Sequence, residues 1–381
     1  MAAGRRTGRR RHNPRPSVDR ASPASRSHRT ASNVSHQVTL KPAGRSFTVE
    51  DDEPILAAAI RQGIGMPYGC RDGACGSCKS RLLEGEVVHG PHQQKALPEA
   101  EKQAGLILTC CARALTDCVV EARMVPGAGE HPVQKMPTRV LAIERAAGDV
   151  AILRLQLPAN QNFQFFAGQY LEFILKDGAR RSYSLASAPS RLGSPPQVEL
   201  HLRRMPGGLF TEQVFTTLKE RDILRAEGPF GSFFLREDSA RPVVLLASGT
   251  GFAPVQAILQ HMQDKGIARP TSLYWGCRRR ADLYRHDWCE ELAAALPWLR
   301  YVPVLSEAAP GDAWRGRSGF VHEAVMADFP DLAGHQVYAC GTPPMVQAAE
   351  RDFVERCGLP PEEFYADAFT SEADKHGAIA R

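Results

Sequence analysis

Three cysteines fall within nine residues of this chain, Cys70, Cys75 and Cys78, in the pattern C-x4-C-x2-C, and a fourth waits at the end of the apolar run Leu106-Ile107-Leu108-Thr109-Cys110. Four thiolates can converge on one point only if a loop wraps tightly around what they hold. The residues between them permit that wrapping: Gly69, Gly73, Ala74, Gly76 and Ser77 are small, tolerate unusual dihedrals, and let main-chain N–H groups face sulfur. A zinc site fits less well, because structural zinc usually takes two C-x2-C pairs and this stretch has one. Buried or disulfide-paired thiols are the other reading, and Cys111, beside Cys110, leaves the fourth position open on spacing alone. Cys118, Cys277, Cys289 and Cys357 have no partner pattern and read as ordinary semi-buried thiols.

The spacing resembles that of plant-type ferredoxins, which hold a 2Fe-2S cluster. In that family a leucine stands two positions before the last ligand, so the resemblance selects Cys110 through Leu108 and implies Cys70, Cys75, Cys78 and Cys110 as the metal ligands.

A chain of 381 residues is too long for one such unit and implies two or three domains with their own cores. Ten cysteines without a disulfide framework, and a motif that needs reduced thiols, predict a cytoplasmic protein. No apolar run is long enough to span a bilayer. The net charge of +5 does not argue for nucleic acid, since nine arginines lie between Arg5 and Arg29 with Asp19 the only acid among them. Residues 1–35, rich in Arg, Ser and Pro, cannot bury enough apolar surface to fold and read as a disordered basic extension. They also resemble an organellar transit peptide, and a misassigned start codon, with the natural protein beginning near Val34, is a third reading.

From residue 36 the texture changes. Gln37–Leu40 and Ser46–Val49 alternate as paired strands, Asp51–Ile64 reads as a helix with Pro54 near its first turn, and Cys118–Ala122 closes a ferredoxin-like unit over 36–124. Residues 125–135 are rich in Gly and Pro and read as a linker. Residues 136–238 offer evenly spaced short strands, Val150–Leu157, Tyr170–Ile174 and Val198–Leu202, as a small antiparallel barrel would. Over 239–381 a buried run, Val243–Ala247, starts an alternation of strands and helices that predicts a parallel α/β sheet. The fold class is therefore multidomain, α+β and α/β: a β-grasp unit, a β-barrel and a parallel α/β domain.

Arg181-Ser182-Tyr183-Ser184, after Gly168-Gln169-Tyr170, is similar to the R-x-Y-S flavin signature of the ferredoxin-NADP reductase superfamily. Alone it is only a polar strand with an aromatic. In context, Arg181 offers a fork of donors for a phosphate, Tyr183 a flat face for an isoalloxazine, and Ser184 a hydroxyl near the reactive flavin nitrogen. Met205-Pro206-Gly207-Gly208-Leu209-Phe210-Thr211 resembles that superfamily's pyrophosphate loop, with Gly207 and Gly208 exposing donors at a helix start closed by Thr211. Together they imply FAD. Gly249-Thr250-Gly251-Phe252-Ala253-Pro254 follows a buried strand and opens a helix, as a dinucleotide's phosphates require, although it lacks the full G-x-G-x-x-G spacing. Gly276 in Tyr274–Arg278 and Cys340-Gly341 in Tyr338–Met345 end later strands and complete the nicotinamide set. The resemblance assigns Cys340 a place beside the hydride path, a packed core thiol being the plain alternative. It assigns Asp367 and Phe369 the acid-x-aromatic ending, with Phe369 covering the flavin.

The order ferredoxin, flavin, nicotinamide resembles the NAD(P)H-dependent reductase components of bacterial oxygenases, and, in Pro67–Gly73, Gly228–Gly231 and Ala366–Phe369, the CDP-6-deoxy-delta-3,4-glucoseen reductase family. The resemblance implies an iron–sulfur flavoprotein that draws on NADH or NADPH and passes electrons to a sugar dehydrase or an oxygenase. A redox-sensing binding protein is the alternative, disfavoured because a sensor needs no hydride route. The resemblance leans toward NADH. Arg278, Arg279 and Arg280 would suit a 2'-phosphate, though such arginines are often simply solvated.

Overall fold

The computed structural model describes Met1, residues 35–370 and the short strand Ile379–Ala380; residues 2–34 of the extension read as disordered over 1–35 lie outside the described residues, and Ser35, its expected last residue, instead opens the first strand. Among the described residues three large sheets follow one another along the chain, each built from a different sequence texture, and two two-stranded ribbons accompany the first.

Alternation sets the first. β1 (Ser35–Lys41) and β2 (Arg45–Glu50) pair antiparallel and point Val38, Leu40, Phe47 and Val49 into the core. α1 (Ile55–Arg61) packs Ile55, Leu56, Ala58 and Ala59 beneath them. It is shorter than the Asp51–Ile64 expected, because Pro54 is extended at ψ 144° and Glu53 N–H turns back to the Glu50 carbonyl at 3.0 Å. Then come β3 (Lys79–Glu84), β4 (Val87–His89), β5 (His92–Gln93), α2 (Glu99–Gln103), β6 (Leu106–Leu108), β7 (Ala112–Ala114) and β8 (Cys118–Glu121). The sheet order is β2-β1-β8-β3-β6, with β8 parallel to β1, so the cluster loop runs from the helix side to the start of β3.

The second sheet is antiparallel throughout: β9 (Gln134–Ala147), β10 (Val150–Gln156), β11 (Tyr170–Ile174), β12 (Arg180–Ser184), β13 (Gln197–Arg203) and β14 (Ile223–Phe230), with α3 (Leu209–Thr216) before the last. In the order β12-β11-β14-β9-β10-β13 the two ends meet through a bridge between Leu185 and Leu200, which closes the barrel.

Continuous apolar strands make the third. β15 (Val243–Ser248), α4 (Phe252–Lys265), β16 (Thr271–Cys277), α5 (His286–Ala295), β17 (Leu299–Leu305), β18 (Arg317–Ser318), α6 (Val321–Asp328), β19 (Gln336–Gly341), α7 (Pro343–Cys357) and β20 (Phe364–Ala368) form a parallel sheet in the order β18-β17-β16-β15-β19-β20. Val244, Leu245, Leu246 and Ala247 are fully buried, as a strand covered on both faces requires. The strand order reverses at β15, and the crevice beyond its C-terminal end is where open α/β sheets receive ligands.

The first half of the connection between the first two sheets is packed, while Gly129, Glu130, Pro132 and Val133 are exposed. Val125 and Ala128 are buried with Phe234 and the half-buried Phe166, and Val125 N–H donates to the Gly65 carbonyl at 3.0 Å. No described helix is long and apolar enough to cross a membrane.

Candidate functional site

The loop from Tyr68 to Cys78 bends where its sequence allows. Gly73 and Gly76 have φ of 74° and 87°, and a Cβ on Gly73 would sit 2.8 Å from the Cys111 sulfur. Arg71 takes φ 64° without being glycine, a local strain that its interactions must hold. The cysteines fall into two pairs. Cys70 and Cys75 exchange main-chain N–H to sulfur hydrogen bonds of 3.4 and 3.3 Å. Cys78 and Cys110 lie side by side, held by Thr109, whose hydroxyl donates to the Cys78 carbonyl at 3.2 Å. The Cys70 thiol's hydrogen bond, against burial, draws the Cys75 thiol toward its thiolate, and Ser77 adds to this. Two irons bridged by sulfide need two thiolates each, so two pairs of cysteines, three from the loop and Cys110 from after β6, suit a 2Fe-2S cluster better than a single tetrahedral ion. Among the described residues no three His, Cys, Asp or Glu side chains converge on a single-ion position. Cys111 stays beside Cys110, its sulfur 3.6 Å away. Cys118, Cys277, Cys289 and Cys357 are buried core thiols, more enclosed than their sequence context implied.

Half of this loop is docked on the barrel. Tyr68 N–H donates to Ser232 Oγ at 2.9 Å, Gly231 N–H to the Tyr68 hydroxyl at 2.9 Å, and the Tyr170 hydroxyl to the Gly69 carbonyl at 2.7 Å. Arg71 lies over the Phe230 ring at 3.7 Å and pairs with the buried Glu172 at 2.5 Å. Glu172 also receives Arg180 at 2.9 Å and Ser182 at 3.3 Å. Arg71, Glu172 and Arg180 are the residues of this contact that sequence reasoning missed. An acid inside the apolar strand Tyr170-Leu171-Glu172-Phe173-Ile174 was the available signal, since a carboxylate buried there demands a cation.

The candidate catalytic residues meet in the crevice behind that contact. Ser184 ends β12, Cys340 lies near the end of β19 and Asp367 lies in β20, all three buried. The Ser184 hydroxyl donates to Asp367 Oδ2 at 3.4 Å, and the Cys340 sulfur lies 3.9 Å from the same oxygen. A Cβ on Gly69 would stand 3.6 Å from Asp367 Oδ1, so the cluster loop abuts this carboxyl. Burial, with the Cys75 sulfur nearby, pushes Asp367 up to about 7, against hydrogen bonds from Ser184 and Cys340. Phe369 donates its N–H to the Gly341 carbonyl at 2.7 Å and packs its half-buried ring on the core of the third domain.

Around this centre the remaining candidates take their places. Tyr183 packs on Phe173 and Phe210, and the half-buried Arg181 donates to the Arg180 carbonyl at 2.8 Å. Gly207 and Gly208 lead into α3, and Thr211 folds back to accept the Met205 N–H at 3.1 Å, closing the loop. Gly249, Thr250 and Gly251 form one tight turn between β15 and α4, with the buried Pro254 in the first turn of the helix. A Cβ on Gly251 would lie 2.2 Å from the Cys340 carbonyl, so only glycine lets these two loops meet. Gly276 packs against Val321 in the same way. The Arg203 guanidinium of the barrel reaches the Gly249 turn, where a Cβ would be 3.0 Å from it. Of the three arginines after β16, Arg279 is engaged by Asp312 at 2.8 Å.

Residues 38–115 match the 2Fe-2S iron-sulfur cluster binding domain, 137–235 the oxidoreductase FAD-binding domain and 245–351 the oxidoreductase NAD-binding domain. The chain is 40% identical over 336 residues to CDP-6-deoxy-L-threo-D-glycero-4-hexulose-3-dehydrase reductase of Yersinia pseudotuberculosis, covering 88% of this chain and 99% of that one. It is 36% identical over 353 residues to the reductase component of phenol 2-monooxygenase from a Pseudomonas species, covering 91% and 98%. Among solved structures, the Amycolatopsis reductase GcoB aligns with a TM-score of 0.73 at 36% identity, over 88% of this chain and 99% of that one. With paired thiolates, a flavin barrel and a nicotinamide crevice on one chain, this protein belongs to the ferredoxin-NADP reductase family with an N-terminal 2Fe-2S domain, and is an NAD(P)H-dependent reductase that sends electrons through FAD and the cluster.

Proposed function

We propose that electrons leave this reductase for a dehydrase acting on a CDP-linked deoxysugar, the reading favoured by 40% identity across 99% of a reductase of that name. Delivery to an oxygenase component is the second reading, supported by 36% identity to the phenol 2-monooxygenase reductase component. When bound, FAD would supply hydride acceptance with one-electron release, and a 2Fe-2S cluster would supply one-electron carriage.

The residue roles rest on one observation: Asp367 bonds Ser184 and Cys340 on one side and abuts the loop of Cys70 and Cys75 on the other. Cys70, Cys75, Cys78 and Cys110 would hold the cluster. Arg181, Ser182, Tyr183, Ser184, Gly207, Gly208 and Thr211 would hold FAD. Gly249, Thr250, Gly251, Pro254, Gly276, Cys340 and Gly341 would receive the nicotinamide dinucleotide. Ser184, Cys340 and Asp367 would line the hydride path, Asp367 able to exchange a proton near neutrality, and Phe369 would cover the flavin until nicotinamide displaces it. The functional units are 36–124, 136–238 and 239–381, joined by 125–135, in a reducing cytoplasm that keeps the thiols free. NADH is the expected donor, with Arg279 already committed to Asp312.

Cys75→Ser tests the route. Reduction of cytochrome c should be lost while NADH still bleaches the flavin; unchanged cytochrome c reduction refutes it. Reconstitution of the holoenzyme with a CDP-deoxyhexulose dehydrase, and separately with an oxygenase component, distinguishes the partners by which one turns over. The ratio of kcat/KM for NADH and NADPH decides the donor.

A further inference from the structure

The cluster loop has two sides, and only one is spent on the barrel. Tyr68, Gly69 and Arg71 face Ser232, Tyr170 and Glu172, whereas Cys75, Gly76 and Ser77 line an open cleft of about 490 Å³. Its far wall is β20, the edge strand of the parallel sheet, together with α7, and its floor is the connection after β8. The space admits a few side chains of a protruding segment, not a folded domain.

The charge of that lining is uneven. Lys79, Lys95, Arg123 and Arg236 stand against Glu350 and Glu362. Lys79 is paired with Glu101 at 2.5 Å, a residue outside the lining, and Lys95 is engaged as well, so the surplus of positive charge rests on Arg123 and Arg236. Arg123 and Arg236 flank the Tyr365 ring at 5.9 and 4.6 Å from its centroid. Arg123 donates to the Glu362 carbonyl, and Arg236 to the carbonyls of Phe234 and Ser232 at 2.7 and 2.9 Å. Among the described residues neither guanidinium pairs with a carboxylate, although Arg236 is buried, with 8% of its surface exposed. The buried Arg236 guanidinium is served by main-chain oxygens and by the Phe234 and Tyr365 rings, at 4.3 and 4.6 Å, and by no carboxylate among the described residues; an incoming carboxylate would neutralise its charge.

We infer that the electron acceptor docks in this cleft, entering with an acidic segment whose carboxylates meet Arg123 and Arg236 beside Ser77. This rests on the reading of the cluster as the electron outlet. The loop then has one side sealed against the barrel and another, Gly76 and Ser77, open and cationic, with Cys75 between them, its sulfur near Asp367.

The test uses the holoenzyme, NADH and two haem proteins of opposite charge, acidic cytochrome b5 and basic cytochrome c. Wild-type reduction of cytochrome b5 should fall as salt rises, and the double variant Lys95→Glu/Arg123→Glu should slow it about tenfold while cytochrome c reduction holds or rises. Gln347→Trp, which narrows the cleft from α7, should slow both. The electron paramagnetic resonance signal of the reduced cluster, read with NADH alone, should persist in every variant. Cytochrome b5 reduction indifferent to salt and to the charge reversal, with that signal intact, overturns the docking inference alone. A wild-type cluster that NADH never reduces removes the outlet reading and this inference with it. If the charge reversal costs the cluster, Lys95→Gln/Arg123→Gln carries the same test at lower amplitude.

Discussion

Replacing Glu172 by Gln should release the cluster loop from the barrel without unfolding either. Glu172 is a carboxylate whose side chain is 5% exposed, and it serves Arg71 at 2.5 Å, Arg180 at 2.9 Å and Ser182 at 3.3 Å. Removing one partner of a buried ion pair costs about 3 to 5 kcal/mol, most of it the desolvated charge left behind. Here the loss falls at the low end, because Arg180 keeps Glu227 and Arg71 keeps its stacking over Phe230. About 3 kcal/mol is roughly two powers of ten in the equilibrium between docked and undocked loop. Amide hydrogen exchange reads this directly. The N–H groups of Tyr68 and Gly231, which bond across the interface at 2.9 Å each, should exchange about a hundredfold faster, while the Leu245 amide in the parallel sheet keeps its protection. Flavin reduction by NADH should remain as transfer onward to the cluster slows. If exchange at Tyr68 and Gly231 stays within a factor of about three of the parent, the ion pair does not hold the interface.

Other perturbations follow from the same contacts. Tyr170→Phe removes the hydrogen bond to the Gly69 carbonyl and should cost about 1 kcal/mol, visible as roughly fivefold faster exchange at Tyr68. Gly251→Ala would place a Cβ 2.2 Å from the Cys340 carbonyl, so NADH-driven flavin reduction should collapse while dithionite still reduces the flavin. Burial pushes Glu199 up, but hydrogen bonds from His201 and Gln256 and the charges of His201 and Arg285 outweigh it and hold it at about 2. A depressed carboxyl contributes stability that is present above its ordinary value of 4.5 and disappears as pH falls toward 2. That contribution is about 3 kcal/mol, so the stability gap between the wild type and Glu199→Gln, measured by urea denaturation, should narrow as the pH drops through this window. A gap independent of pH there would disprove the assignment.

Local chemistry was readable in the chain where it depends on neighbours in sequence. The cysteine spacing, the glycines that let the loop turn, the alternation of β1 and β2 and the apolar run of β15 each act within a few residues, and each foretold its element. The helix expected from Asp51 failed at Pro54, where extended backbone and the Glu53 turn compete with helix propensity. What the pattern could not disclose was which distant residues meet. Arg71 and Glu172 are separated by a hundred and one positions, Ser184 and Asp367 by 183, and only the packing of three sheets brings them together. Cys75 belongs to the motif in sequence, yet its neighbourhood with Asp367 comes from the fold.

The packing of Val125 and Ala128 at the start of the connection carries a kinetic consequence. A ferredoxin on a slack tether could load its electron at the flavin, swing out and unload elsewhere, with the swing setting the pace. Val125 and Ala128, packed with Phe166 and Phe234, and Gly129, whose Cβ would lie 2.7 Å from Gly63, leave no slack for that shuttle. On the proposed route the acceptor would have to come to the cluster. Turnover with the natural acceptor should then scale with its concentration and saturate at the rate of its departure, as for a fixed quay visited by ships.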